Sequence, residues 1–187
     1  MASNRATLTV FGSLCASTFG LGVWQTARYL EKNRIIEDRD NELSKTPVDG
    51  YQDESPYRRM MLTGYFDHDS YFKVGLRGTP SSHSSGGISP QGYFVVTPFH
   101  LSSSDDQRTV LVNRGWIPRK TEPAVLQTND KKITTITAVP AKFESPRFIV
   151  PEHNFEKRTL TWFDKTALTA LSRLPLDTPY VQQLLSS

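Results

Sequence analysis

The chain has 187 residues, of which 22 are basic and 19 acidic, leaving a formal charge of +3 spread along the sequence without a run of five or more Lys/Arg. That balance argues against a nucleic-acid-binding protein, because a phosphate-tracking surface needs clustered cations. The sole cysteine, Cys15, excludes an internal disulfide and a thiolate metal site.

Between Arg5 and Arg28 no residue is charged, and these 22 positions would extend about 33 Å as a helix at ~1.5 Å per residue, enough to cross a hydrocarbon core of ~30 Å. Trp24 stands near the end of the run, where an indole prefers the headgroup region, and Arg28 follows one turn later. A cleaved signal peptide fits less well, since the run is long and lacks a small-x-small cleavage site. The absence of acidic residues before Glu31 also suits a mitochondrial transit segment, and the residues alone do not separate the two. Gly12, Ala16 and Gly20 make a smooth stripe on one helical face, open either to another helix or to lipid.

From Tyr29 to Leu43 apolar residues alternate with both signs of charge, which predicts that the membrane helix (6–46) continues as an amphipathic helix that Pro47 stops. Residues 1–5 then form a tail, and a β-rich domain occupies 47–187. Tyr57–Phe66 and Ser70–Leu76 read as strands joined in a hairpin by Asp67-His68-Asp69. The Ser/Gly/Pro-rich segment 78–91, with His83 and Gly86-Gly87, reads as a flexible loop. Gly92–Phe99 and Thr109–Ile117 should pair antiparallel, with Pro118 closing that hairpin. Lys132–Val139, Phe148–Val150 and Thr159–Phe163 complete a sheet of six or seven strands. Asp164 is placed to cap a helix carrying Ala167, Leu168, Leu171 and Leu174, which Pro175 ends and whose apolar face should cover the sheet. The tail from Thr178 is too short to span a membrane. The fold class is α+β: a transmembrane helix, an antiparallel β-rich domain and one covering helix.

Catalytic chemistry finds no foothold. His68, His83, His100 and His153 are scattered without metal-ligand spacing, and there is no nucleophile elbow or phosphate-binding glycine loop. Glu144 and Glu152 would make an acid/base pair of the kind that chance supplies among 19 carboxylates. More specific is Asn113-Arg114-Gly115-Trp116, where a strand meets a glycine, an aromatic residue and the basic end Arg119-Lys120. Two readings stand side by side: Gly115 makes a bulge while Arg114 pairs with a carboxylate at the sheet edge, or the fixed guanidinium serves a partner protein or an anionic cofactor group.

Five blocks in order carry a resemblance: Phe19-Gly-Leu-Gly-Val-Trp-Gln-Thr-Ala-Arg28 with Lys32, Leu62-Thr-Gly-Tyr-Phe-Asp-His68, Tyr93-Phe-Val-Val-Thr-Pro-Phe99, Val110-Leu-Val-Asn-Arg-Gly-Trp-Ile-Pro-Arg-Lys120 and Val150-Pro-Glu-His-Asn154. With them the chain resembles the surfeit-locus cytochrome c oxidase assembly factors of mitochondria and related bacteria. The resemblance implies a non-enzymatic chaperone in the mitochondrial inner membrane, its β-rich domain in the intermembrane space. The implied partners are the oxidase core subunit, other assembly factors and the lipid bilayer, and the implied task is haem a insertion or maturation of that subunit. Candidate structural or partner-binding residues by this likeness are Trp24, Gln25, Arg28, Gly64, Asn113, Arg114, Gly115, Trp116, Pro151 and Asn154, with no catalytic or metal-binding residue.

The family pattern also includes a second membrane helix near the C-terminus, preceded by a histidine that is a natural candidate haem ligand, and this sequence stops before both. The expectation is therefore a shortened member in which no haem a site is carried over. A truncated, non-functional product and a direct haem carrier are the alternatives. The likeness weakens toward the end: Leu160 stands where a tryptophan is expected, with Trp162 two places on, and an arginine expected after Glu144 is displaced to Arg147. The basic residues that follow the span favour the opposite orientation by charge, against the family topology.

Overall fold

A computed structural model describes residues 2–52, 55–79, 90–102, 108–121, 132–145 and 152–184, which fall into two compact units, Met1–Ser44 and Lys45–Ser187. The first unit is one helix, α1 (Ala2–Ser44), so the residues expected as a tail are helical from Ala2. By length and composition its stretch from Thr7 is apolar enough to cross a membrane, at a mean hydropathy of 1.3 over the best window. Two of its hydroxyls bond back to the helix: Thr18 Oγ1 donates to the carbonyl of Leu14 at 3.0 Å, and Thr26 Oγ1 to that of Gly22 at 2.9 Å. Such bonds keep polar groups satisfied where water is absent. Beyond the span Tyr29, Leu30, Ile35 and Ile36 are all exposed.

The second unit contains β1 (Val48–Asp49), β2 (Met60–Phe66), a single 3-10 turn (His68–Ser70), β3 (Phe72–Gly78), β4 (Gln91–Leu101), β5 (Thr109–Pro118), β6 (Thr134–Pro140), β7 (Thr159–Leu160), α2 (Lys165–Ser172) and β8 (Tyr180–Leu184). The α+β class holds, with eight strands among the described residues where six or seven were expected. β2 pairs with β6, β6 with β8, β8 with β5, β5 with β4, and β4 again with β2, so the sheet closes into a five-stranded barrel. Most pairings are antiparallel, while β1–β2, β3–β7 and β5–β8 are parallel. Closure leaves those five strands with few free edges, a common solution to edge exposure.

Strand alternation sorts the core into two faces. Met60, Leu62, Phe66, Phe99, Leu101, Val110, Val112, Ile136, Ala138 and Val181 fill the barrel. Phe72, Val74, Val96, Leu111, Leu160, Phe163, Leu168 and Tyr180 pack on the outer side, where α2 covers the sheet through the fully buried Leu168. Asp164 caps α2 as read from the sequence, Oδ1 accepting from the backbone of Thr166 at 2.8 Å and of Ala167 at 3.2 Å. The helix stops at Ser172, before Pro175, because Arg173 turns left-handed at φ 56° and its N–H returns to Ala170 O.

The expected hairpin between β2 and β3 is not formed. Both strands run antiparallel to β4 along the same edge, Phe66 opposite Phe99 and Phe72 opposite Val96, so β3 prolongs β2 after a jog. Asp67-His68-Asp69 lacks the glycine or asparagine at positive φ that a tight hairpin requires, and it forms the 3-10 turn instead. Pro98 pairs with Leu111 of β5 on one side and lies opposite this jog on the other, where its carbonyl accepts from Asp67 N at 2.9 Å and no β2 or β3 ladder partner is left to miss a proline N–H. The predicted pairing of β4 with β5 is present along the length of both strands, ending at Pro118. β8 lies within the C-terminal tail, which carries no strand expectation. The expected strand at Phe148–Val150 and the tip of the 78–91 loop, with His83 and Gly86-Gly87, lie outside the described residues.

Candidate functional site

The Asn113-Arg114-Gly115-Trp116 string sits on a β-bulge. Phe94 faces Trp116 and Val96 faces Asn113, so one intervening residue on β4 stands against two on β5. Gly115 takes φ 109°, a conformation that side chains rarely adopt, and this re-aims its neighbour Arg114. Asn113 fixes the geometry from beneath at 3% exposure. Its Oδ1 accepts from Gly115 N at 3.0 Å, its Nδ2 donates to the Tyr180 hydroxyl at 3.2 Å, and its carbonyl accepts from Gln182 Nε2 at 3.3 Å. Burial pushes the Tyr180 phenol well above its ordinary value, so it stays neutral beside Asn113.

Arg114 is half-buried, its guanidinium 4.3 Å from the Phe66 ring centroid and its Nη1 3.4 Å from His68 Nδ1. Burial lowers the guanidinium's proton affinity below its ordinary value. His68 is lowered from 6.5, first by burial and then by the Arg114 charge, while Asp67 and Asp69 pull the other way. The neutral imidazole accepts where the guanidinium donates.

Trp116 extends the site to the outer face, Nε1 donating to Arg77 O at 3.1 Å. Arg77 in turn meets Glu144 through Nη1–Oε1 at 2.7 Å and Nη2–Oε2 at 2.6 Å, and its guanidinium lies 5.4 Å from the Phe163 ring centroid. Glu144 Oε2 also accepts from Phe163 N at 3.2 Å. Phe163 and Tyr180 are ring neighbours at 5.6 Å, which returns the chain of contacts to Asn113. Arg77 and Tyr180 lie far from the motif in sequence and carry no local signal, and Glu144 is an ion-pair partner.

The remaining candidates are dispersed. Gly64 pairs with Thr134 on one side and Leu101 on the other, at the point where β2 passes from β6 to β4. A Cβ there would lie 2.0 Å from the His100 carbonyl oxygen, so only glycine permits closure. Asn154 shapes a turn, Oδ1 accepting from Lys157 N at 3.0 Å while its backbone bridges Thr159. On α1 the Arg28 guanidinium lies 5.6 Å from the Trp24 ring, one turn away, and Gln25 is exposed. Pro151 lies outside the described residues.

His153 holds this turn to α2. Its Nδ1 accepts from Thr161 N at 3.1 Å, which places the ring proton on Nε2, 3.2 Å from Asp164 Oδ2. Both nitrogens of His153 are thus bonded within the protein. His100 Nδ1 is bonded to Thr109 Oγ1 at 2.8 Å, and the barrel interior is filled by apolar side chains. The described residues therefore do not fit a haem within the barrel, and among them no group of three or more His, Cys, Asp or Glu side chains gathers for a metal.

The sequence matches the SURF1 family over residues 13–186. It is 37% identical over 153 residues to a SURF1-like protein of Drosophila melanogaster, covering 74% of this chain and 50% of that one. A SURF1-like protein of Monosiga brevicollis is 31% identical over 85% of this chain and 64% of its own, and the Surfeit locus protein 1 of Rattus norvegicus is 28% identical over 82% and 54%. The chain thus spans between half and two thirds of these relatives. Because the family match runs over residues 13–186, nearly the whole chain, the chain belongs to the SURF1 family.

Proposed function

We propose that the chain is a membrane-anchored assembly factor for cytochrome c oxidase, acting on the maturing core catalytic subunit in the mitochondrial inner membrane with its barrel in the intermembrane space. The family match over residues 13–186 carries this reading. Its physical support is the pairing of an apolar helix long enough to span a bilayer with a closed barrel. In this role the factor makes and breaks no covalent bond. α1 confines the barrel to the plane where a membrane subunit assembles, which raises the effective concentration of the two without new contacts.

In this reading the barrel offers the receiving subunit a rigid surface, and assistance to haem a insertion is exerted on that subunit. Deletion of the gene is expected to lower mature oxidase and haem a selectively, and re-expression of this 187-residue chain to restore them. Normal levels of both after deletion overturn the proposal. Digestion of the barrel by protease added to mitoplasts tests the orientation, and protection there reverses it.

A further inference from the structure

One uncharged line runs along the whole of α1. Leu8, Cys15, Gly22, Tyr29, Ile36 and Leu43 recur every seven residues. A seven-residue repeat falls just short of two turns of a straight α-helix, so it keeps to one contact line when helices wind around each other left-handedly. Beyond Arg28 this line stands open: Tyr29 is 63% and Ile36 52% exposed. Large apolar side chains at that spacing, on a helix otherwise covered in charge, mark an interaction seam. Thr26, Asn33 and Asp40, each three residues before a member of the line, complete it to the alternating three-and-four spacing of a coiled coil.

The charges beside the seam are sorted by sign. Lys32 and Arg39 lie on one flank and Glu37 on the other. In a parallel pair of helices each flank faces the opposite flank of the other helix, one step further along. Lys32 then meets Glu37 of a second copy, and Asp40 lies against Arg39 of that copy. An antiparallel pair would instead set the basic flank against itself. Among the described residues neither Lys32 nor Glu37 forms an ion pair, so the contact takes nothing from the fold of one chain. Asn33 faces its own copy across the seam, and asparagine at such a position fixes register and the two-stranded state.

Within the apolar stretch the same line turns small. Cys15, Phe19, Gly22 and Thr26 border a shallow groove, in which Gly22 of one copy makes room for Phe19 of the other. The Thr18 and Thr26 hydroxyls are bonded to carbonyls of their own helix and stay satisfied at the contact. Gly12, Ala16 and Gly20 follow a different line, which runs on to Trp24 and Arg28 and has no apolar continuation there.

We propose that α1 forms a parallel two-stranded coiled coil with a second copy of this chain, from the apolar stretch into the charged part beyond it, so that the protein acts as a dimer carrying two barrels. Confinement to one membrane raises the effective concentration of the two helices, so a seam with one apolar residue per heptad beyond the bilayer suffices. Pairing of like helices about a two-fold axis needs no further component.

The test uses the full chain in phosphatidylcholine vesicles, oxidised with copper phenanthroline and read on non-reducing gels. Cys15, the sole cysteine, lies on the seam and is expected to cross-link two chains, in a fraction that saturates as protein density rises. With C15A in place, G22C on the same line is expected to cross-link and A16C about fivefold less. I36D is expected to lower cross-linking at Cys15 about tenfold, whereas I35D, equally exposed but off the seam, is expected to leave it within about twofold. K32E sets two acids opposite each other and is expected to weaken the dimer, and K32E combined with E37K to restore it. Absence of a saturating Cys15 product, cross-linking greatest at position 16, equal losses in I36D and I35D, or no rescue by the charge exchange would overturn the parallel seam. A Cys15 product formed in native membranes with a different protein and never with a second copy would overturn it as well. None of these outcomes touches the oxidase-deletion result, since the seam is measured on the protein alone.

Discussion

Arg77 and Glu144 form a two-bond fork, at 2.7 and 2.6 Å, that clamps the end of β3 to the segment after β6. Their side chains are 37% and 35% exposed, so solvent screens the pair and the charge attraction counts for little on its own. Glu144 matters more through what it gathers, because the same carboxylate accepts Phe163 N and the guanidinium lies over the Phe163 ring. E144A is expected to destabilise the barrel by about 1–2 kcal/mol, and E144Q by less, since the amide oxygen retains the acceptor for Phe163. Denaturant unfolding of the full chain followed by tryptophan fluorescence checks this, as Trp116 is bonded to the Arg77 carbonyl. Equal losses in both variants would show that the charge itself dominates.

Gly64 and Gly115 are required for different reasons, and alanine separates them. At Gly64 an added Cβ meets the His100 carbonyl at 2.0 Å, on backbone that cannot move without opening the barrel. At Gly115 nothing lies within 4 Å, and the only obstacle is φ 109°. G64A is expected to prevent closure or cost more than about 3 kcal/mol, whereas G115A is expected to cost about 1–2 kcal/mol of backbone strain and to disturb Arg114. Thermal melts rank the two, and a milder loss in G64A than in G115A would contradict the closure argument.

Which parts of this structure are legible in the sequence follows from the range of the contacts. The uncharged run, the Asp164 cap and the pairing of β4 with β5 depend on neighbours in the chain, and composition and turn chemistry report them. Barrel closure does not, because β2 meets β6 some seventy residues away, and Gly64 reads locally as an indifferent glycine in a strand. β8 escapes notice because Tyr-Val-Gln-Gln-Leu is as acceptable to a helix as to a strand until β5 and β6 offer edges on both sides. At the site, glycine within a strand signals the bulge, but the partners of Asn113 and Trp116 come from Tyr180 and Arg77. Asp67-His68-Asp69 misleads for a local reason: connectors rich in Asp serve a 3-10 jog as well as a hairpin.

His68 makes stability depend on pH in a defined direction. Its pKa is lowered in the folded barrel from the 6.5 of the unfolded chain, burial being the larger cause and Arg114 the next. The unfolded state therefore takes up a proton first, so the contribution is fully present above pH 6.5 and is lost as pH falls toward the folded value. H68Q is expected to flatten the part of the acid limb just below pH 6.5. R114Q is expected to raise the His68 midpoint only part of the way back to 6.5, since burial remains. Ring NMR measures the midpoint directly, and a midpoint unchanged in R114Q would mean that the 3.4 Å approach carries no electrostatic weight.

Asp164 serves two elements with its two oxygens, and the amide separates those duties. Oδ1 caps α2 through Thr166 and Ala167, while Oδ2 faces His153 Nε2 at 3.2 Å. Because His153 Nδ1 is committed to accepting Thr161 N, its Nε2 bears the proton and needs an acceptor opposite. Asparagine caps helices about as well as aspartate, yet whichever way its amide turns, one oxygen cannot serve both sides. D164A is expected to cost about 1–2 kcal/mol from the cap and the orphaned donor together. D164N is expected to fall between it and the parent, and H153Q in the D164N background to add little further loss. A double-mutant cycle between positions 153 and 164 reads the coupling: a large coupling places the turn at Asn154 and the start of α2 in one cooperative unit, and zero coupling means that the cap is the whole effect.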